Sequence, residues 1–600
     1  MRCLAMRKSP ISSFLSSVLR GEWLWICIAQ VAHLAWSFET VVYPSFSGQI
    51  VDILSNFSGD RSKIWGAIKY PVMQFAAIFF ILEFCFRVGG FLFAKRMPSL
   101  EAKVRMTLVK DVQKKPFGYF KNNLAGDILN KISDMARSLG IMLQLSIKMF
   151  VPVFVALVLV AGVFWKVHWS IAVLMFLWVS VHISLCIAFS FRAAKLSRDH
   201  ASARSSLHGE IIDSISNYMS VKLFAKEDYE ISYLSNKQNE ERKKNVKHLA
   251  YNEYVKIVLS LLAFLIPLGL LNGISFYFWM NNILSVGDVV VVMQTSLHMT
   301  FFVWVVGSQI PDFVKEIGVS LQASALLEGE VVEDAPDARP LRVTEGLITL
   351  QNVSFKYDTD VEPFFEDLSL TIEPGQHVGL VGYSGSGKST LFNLILKFLN
   401  PQSGAILIDG QDIADVTLKS LRNAIGVVPQ DPILFNRSIK DNIRYAKIQA
   451  SDEEIVLASQ SAHIHSKIIS LPDGYESSAG ERGSRLSGGE RQRVAMARLA
   501  VIKTGIVMLD EATSAQDALT DSHIQHSLEE ITKNRTTFII AHRLRTIVNM
   551  DRILVFDRGK IVQDGPHEHL IHQDGLYQKL WRAQTHGFMP DTPPDEEEGL

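Results

Sequence analysis

The sequence predicts a multidomain chain: a six-helix transmembrane bundle followed by a soluble α/β domain. Three observations predict it. Six apolar stretches long enough to cross a bilayer lie before residue 315, short β-branched runs alternating with helical segments lie after residue 345, and an acidic Pro-containing stretch separates the two. A chain of 600 residues also exceeds one ordinary domain. Its mean hydropathy of +0.17 and only 20% charged residues are unusual for a soluble protein. The net charge of −1 gives no electrostatic footprint for nucleic acid, so no nucleic-acid partner is expected.

Residues 1–22 are basic and Ser-containing, with no acid before Glu22. They admit two readings, an organellar transit peptide or an amphipathic elbow helix with Phe14, Leu15, Val18 and Leu19 on the membrane surface. The lack of a cleavage-site pattern favours the elbow. The bundle is expected over 23–326, with spans near 23–43, 67–93, 141–165, 169–191, 256–280 and 289–312. Two long connections, between spans two and three and between spans four and five, are rich in Lys and Arg. By the positive-inside rule they and both termini are cytoplasmic. Both read as helical, so the spans continue into the cytoplasm.

Residues 327–345 read as a linker, 346–584 as the α/β domain with a largely parallel sheet, and 585–600 as a disordered acidic tail. The α/β domain carries the chemistry. Gly382-Tyr-Ser384-Gly385-Ser386-Gly387-Lys388-Ser389 fits G-x-x-x-x-G-K-[ST] and follows the strand HVGLV. Such glycines let backbone N–H groups turn inward around phosphate, Lys388 supplies a point charge, and Ser389 offers a hydroxyl to Mg²⁺. The helix that follows, from Thr390, presents its positive end to the anion. Downstream, the apolar strand GIVMLD ends in Asp510 and Glu511. Asp510 is placed to orient Mg²⁺ through water, and Glu511 to polarise an attacking water. The site therefore calls for a nucleoside triphosphate and Mg²⁺.

Just upstream stands Leu486-Ser487-Gly488-Gly489-Glu490. Here the chain resembles the ABC transporter family, whose signature is LSGGQ or LSGGE, and the resemblance covers the whole second domain. It implies that Tyr357 stacks on adenine, that Gln430 contacts Mg²⁺ and the lytic water, and that His542 reaches the γ-phosphate. Asp517 lies in the family's D-loop, where Gln516 replaces the usual leucine. It also implies that Ser487 of one subunit completes the site built on Lys388 of another. The flank Ser477-Ser-Ala-Gly-Glu481-Arg482 departs from the TEVGER usual in exporters but keeps Glu481 and Arg482.

The membrane half is similar to exporter half-transporters such as lipid A flippases and bacterial multidrug exporters. That implies ATP-driven export of a lipid, drug, peptide or chelate by a dimer of identical or closely related chains. The expected place is a bacterial inner membrane, with the ATPase domain cytoplasmic. An importer on the exporter architecture and a regulator without productive transport are the alternatives. Short docking helices are expected near 120–133 and 208–222 at the loop tips.

Within the spans, Glu39, Glu83 and Arg87 are the charged candidates for cargo contact. Glu83 and Arg87 stand at i,i+4 and can equally mute each other. His33, His182 and His298 are read as core packing. Cys3, Cys27, Cys85 and Cys186 are read as lacking a close Cys or His partner, so neither a disulfide framework nor a zinc site is expected.

Overall fold

A computed structural model describes residues 10–123, 125–357, 362–510, 528–541 and 543–585. The chain divides into two compact units, Met1–Val331 and Val332–Leu600.

The first unit is helical. Helices α1 (Pro10–Leu19), α2 (Trp23–His33), α3 (Ala35–Ser55), α4 (Trp65–Gln113), α5 (Phe117–Asn122) and α6 (Ala125–Leu145) come first. They are followed by α7 (Val151–Val167), α8 (Trp169–Ser216), α9 (Tyr218–Leu223), α10 (Glu227–Ala263), α11 (Asn272–Met280) and α12 (Val286–Ala323). Together they form six stretches long and apolar enough to cross a membrane, from Trp23–Ser55 to Val286–Leu327. The two longest single helices, α4 with 49 residues and α8 with 48, run well past what a bilayer needs. This is the helical continuation beyond the apolar spans that the polar connections predict.

Two expectations are corrected here. The short helices at the tips are Phe117–Asn122 and Tyr218–Leu223, rather than 120–133 and 208–222. Pro116, extended at ψ 156, starts the first of them, and Ala225 in the left-handed region follows the second. Residues 208–216 stay in α8, which runs on through Gly209 and is capped at Asn217. In α1, Phe14 and Val18 do not lie on a membrane surface. They are buried against Trp25, Ala29, Phe93 and Met97 of the bundle.

Span one meets span six at one end through a close backbone approach. The Gly287 N–H and Ser285 hydroxyl donate to the Asp52 carboxylate at 2.6 and 2.8 Å. A Cβ on Gly287 would overlap that carboxylate and the Gly48 carbonyl. Farther along α12, buried Glu316 accepts a bond from the Ser138 hydroxyl of α6 at 2.6 Å.

The second unit holds two sheets. Strands β1 (Ile348–Phe355), β2 (Phe365–Ile372), β4 (Ser403–Ile408) and β5 (Gln411–Asp412) form an antiparallel sheet in the order β2-β1-β4-β5. The other sheet comprises β3 (His377–Val381), β6 (Ile425–Val428), β7 (Ile506–Asp510), β8 (Thr536–Ile540), β9 (Arg552–Asp557) and β10 (Lys560–Gly565), in the order β10-β9-β3-β8-β7-β6. Its parallel strands read as continuous apolar runs because both faces are covered. The helices between are α13 (Lys388–Ile395), α14 (Leu418–Ala424), α15 (Ile439–Arg444), α16 (Asp452–Ser461), α17 (His465–Ile469) and α18 (Gly488–Val501).

The acidic stretch ahead of the sheets is tied to this unit from Asp334 onward. The Leu341 N–H donates to the Ser420 hydroxyl at 2.8 Å. The Asp409 carboxylate accepts from the N–H groups of Thr344, Glu345, Gly346 and Leu347. Partial burial works against that charge, yet the four donors hold Asp409 below the usual carboxylate range.

Candidate ATP site

Register brings the strand ends that carry part of the predicted site to one edge. Leu380 pairs with Ile540, Ile540 with Asp510, and Leu509 with Val428, all in parallel. The loop from Gly382, the acid Asp510 and the segment leading to Gln430 therefore leave the carboxyl ends of neighbouring strands, where open α/β sheets place their ligands. Glu511, Asp517 and His542 lie outside the described residues. Glu511 directly follows Asp510, and His542 follows Ile540 by two positions.

The loop itself is shaped for an anion. Gly382, Gly385 and Gly387 take φ of 150°, 76° and 117°, a region that disfavours side chains. A Cβ on Gly382 would overlap the Phe556 carbonyl, and one on Gly387 would crowd Phe365 at 2.9 Å. The Lys388 ammonium is buried and turned back onto the loop, donating to the carbonyls of Gly382 and Tyr383 at 2.7 and 2.8 Å and to Ser386 Oγ at 3.2 Å. Ser384, Gly385 and Ser389 form the exposed rim, whereas Ser386 and Thr390 are buried. A cradle that a Cβ on Gly382 or Gly387 would crowd, with a cation at its floor, fits a nucleoside triphosphate.

Tyr357 is fixed beside this loop, its hydroxyl 2.7 Å from Thr390 Oγ1 and its ring edge-on to Phe355 and Phe364. Gln430 is exposed two residues past β6.

Ser487 caps α18. Its hydroxyl accepts from the Glu490 N–H at 3.3 Å, while the Glu490 carboxylate accepts from the Ser487 N–H at 2.8 Å. This reciprocal box explains why an acid suits the last position of the signature. Burial raises the cost of that charge, but the Ser487 N–H and Lys467, 3.2 Å away, hold Glu490 below its ordinary value.

One supporting contact was missed by sequence reasoning. Arg498 of α18 donates from Nε to the Asn442 carbonyl at 2.7 Å and from an Nη to Asn442 Oδ1 at 2.8 Å. Asn442, fully buried, grips the Phe435 backbone through N–H and carbonyl bonds of 2.8 and 2.9 Å. The segment after Gln430 is thus tied to the signature helix. An arginine two turns from the signature in an otherwise apolar run was the available signal.

Among the membrane charges, the Arg87 guanidinium meets the Glu83 carboxylate at 2.6 Å, with 68% of the Arg87 side chain exposed in the single chain. Glu39 on α3 is half-buried and close enough to Glu83 on α4 for their charges to act on each other.

Comparison with known proteins agrees with this layout. Residues 26–303 match the ABC transporter transmembrane region and residues 365–514 the ABC transporter family. ATP-binding cassette sub-family B member 6 of Mus musculus is 34% identical over 570 residues, 93% of this chain. The chain spans 66% of that relative's length. An uncharacterized ABC transporter ATP-binding protein of Haemophilus influenzae is 33% identical over 602 residues, covering 98% of this chain and 96% of its own. A bacterial Atm1-family ABC exporter solved with ATP bound superposes with a TM-score of 0.82 at 29% identity, covering 95% of this chain and 98% of that one. With membrane spans, phosphate loop, signature and strand-end acid in one chain, the protein belongs to the ABC transporter family, as a transmembrane region fused to an ATP-binding domain.

Proposed function

We propose that the chain hydrolyses ATP to drive export of a small or amphipathic solute (a lipid, drug, peptide or chelate), pairing with a second copy of itself and working by alternating access. Its place is a bacterial inner membrane, with the ATP-binding unit on the cytoplasmic side that the positive-inside pattern defines. The observation that carries this reading is the shared strand register, which gathers the phosphate loop, Asp510 and the segment before Gln430 on one edge of a chain with six spans. A solved exporter of the same architecture supports the direction of transport.

In this reading Tyr357 stacks on adenine, and the loop from Gly382 to Thr390 wraps the phosphates with backbone N–H groups and the Lys388 charge. Ser389, Gln430 and Asp510 offer the oxygen donors that suit Mg²⁺. When bound, Mg²⁺ supplies charge neutralisation at the β- and γ-phosphates. Glu511 orients the attacking water and accepts its proton, and His542 reaches the γ-phosphate. Ser487, Gly488 and Gly489 present the start of a 14-residue helix to the nucleotide of the partner copy, and Asp517 serves as a further nucleotide contact. Two nucleotides then hold two chains together, and hydrolysis lets them part.

Purified chain in lipid nanodiscs should hydrolyse ATP only with Mg²⁺. In a screen across lipids, drugs, peptides and metal chelates, one class should stimulate that activity. Inside-out vesicles should accumulate that class when ATP is added outside. Absence of hydrolysis would point to a regulator, and movement out of such vesicles to an importer.

A further inference from the structure

The sequence reading treats His182 as core packing and Cys186 as lacking a close Cys or His partner, and the structure buries both. They stand one turn apart on α8 and converge on Gly307 of α12. From the point where a Cβ on Gly307 would sit, Cys186 Sγ is 2.8 Å away and His182 Nε2 is 3.7 Å away. Sulfur and nitrogen are thus separated by at most the sum of those distances, and rotation of the two side chains can bring both onto one ion. A methyl at position 307 would press on the sulfur, so glycine leaves this gap open.

His182 is 0% exposed, and neither ring nitrogen finds a hydrogen-bond partner among the described residues. Its nearest ring, Trp178, lies 5.5 Å away and tilted, so stacking does not satisfy the nitrogens. Buried polar groups are normally bonded, and one with two idle nitrogens calls for an explanation. Cys186, 3% exposed, and Gly307 also line a cavity of about 340 Å³ between α8, α10 and α12, which gives a ligand a way in.

We infer that His182 and Cys186 form a binding site for a soft monovalent d¹⁰ cation, Cu(I) or Ag(I). Thiolate and imidazole are the donors such ions select. No cluster of three or more His, Cys, Asp or Glu able to hold a metal occurs among the described residues, so the site suits low coordination rather than a tetrahedral zinc set. Charge decides between monovalent and divalent ions. On binding, the Cys186 thiol gives its proton to water, and the thiolate and the neutral His182 nitrogen each donate an electron pair to the ion. The thiolate then neutralises a monovalent cation, whereas a divalent ion would leave a net charge buried among apolar spans. No oxidation or reduction is involved. The inference rests on the exporter reading only for where the ion would go.

Cu(I) binding to the purified full-length chain, measured anaerobically against a chromogenic chelator without ATP, tests it. We expect one Cu(I) per chain, with an X-ray absorption spectrum showing both sulfur and nitrogen donors. Cys186→Ser should weaken binding at least hundredfold and His182→Phe, which keeps an aromatic ring, at least tenfold. The double variant Cys27→Ser, Cys85→Ser should bind as before. No retained Cu(I), an all-sulfur shell, or binding indifferent to Cys186→Ser would overturn the site. If Cys186→Ser fails to fold, the donor shell of the unaltered chain decides. Cu(I) bound by a chain without ATPase activity would leave the site standing and sink the exporter reading alone.

Discussion

Ser487 serves two purposes that different substitutions can separate. Within its own chain it caps α18 through the 3.3 Å bond from Glu490 N–H. In the proposed dimer it faces the partner's nucleotide. Ser487→Ala removes the cap but leaves the Glu490 carboxylate on the Ser487 N–H and Lys467. Losing such a cap costs about 1 kcal/mol, which in a domain of this size lowers Tm by roughly 2–4 °C. Ser487→Asp restores an equally good cap, and its charge suits a helix N-terminus. Repulsion from Glu490 three residues on costs only ~0.2–0.5 kcal/mol, so stability should stay close to that of the unaltered chain. Catalysis should respond in the opposite sense. A carboxylate about 4 Å from a phosphate charge is repelled by ~4 kcal/mol at an effective dielectric near 20. Even half of that corresponds to more than a tenfold loss. Thermal unfolding and steady-state ATPase assays on both variants read the two effects. The expected pattern is a less stable but active alanine variant and a stable aspartate variant with hydrolysis reduced at least tenfold. Near-normal hydrolysis by Ser487→Asp would refute the placement of Ser487 against nucleotide. An equal loss of Tm in both variants would refute its capping role.

Four further outcomes are expected. Glu511→Gln should bind ATP but hydrolyse it ~10²–10⁴-fold more slowly, the usual worth of a general base, as measured by single-turnover release of phosphate. Tyr357→Ala should raise the KM for ATP while leaving kcat within a few-fold, because stacking is equal in ground and transition states, whereas Lys388→Ala should damage both. Gly287→Ala should destabilise the membrane unit by ~1–3 kcal/mol, since the new methyl has no room beside Asp52 and Gly48; denaturation in detergent monitors the loss. Asp409 has a folded pKa below its unfolded value, so its contribution is complete above the ordinary aspartate pKa and is lost as pH falls through the folded value. Asp409→Asn should therefore be less stable at neutral pH and show a flatter decline on acidification, read by unfolding midpoints from pH 7 to pH 3.

The phosphate site was legible because its chemistry is local. Gly382, Gly385, Gly387 and Lys388 act through backbone shape and a loop that contacts itself, so eight consecutive residues specify it. The strands could be inferred from apolar runs, and their register, seen only in the structure, carries Asp510 to the same edge. The capping box at Ser487 and Glu490 is equally short-range. Helix ends were less legible: Pro116 marks one loop tip clearly, while the second tip has only Asn217 and the left-handed Ala225 to stop the chain.

Contacts between spans were not legible at all. Asp52 and Gly287 are 235 residues apart, and Ser138 and Glu316 are 178 apart, with no periodicity to link them. An apolar helix shows how long it is but not which face meets which neighbour, since lipid and protein interior favour the same side chains. Polar residues break that degeneracy, because a buried donor or acceptor must find a partner or hold a ligand. Asp52, Glu316 and Ser138 find partners within the bundle, and Arg87 finds Glu83 on its own helix. His182 finds none among the described residues. In a membrane unit, then, function is better sought by asking which buried polar group remains unsatisfied than by asking which charge stands out in the sequence. That criterion passes over the self-paired Glu83 and Arg87 and leaves Trp178 Nε1, Gln294 Oε1, Thr295 Oγ1 and both His182 nitrogens; of these, the His182 ring converges with a thiol, Cys186, on Gly307.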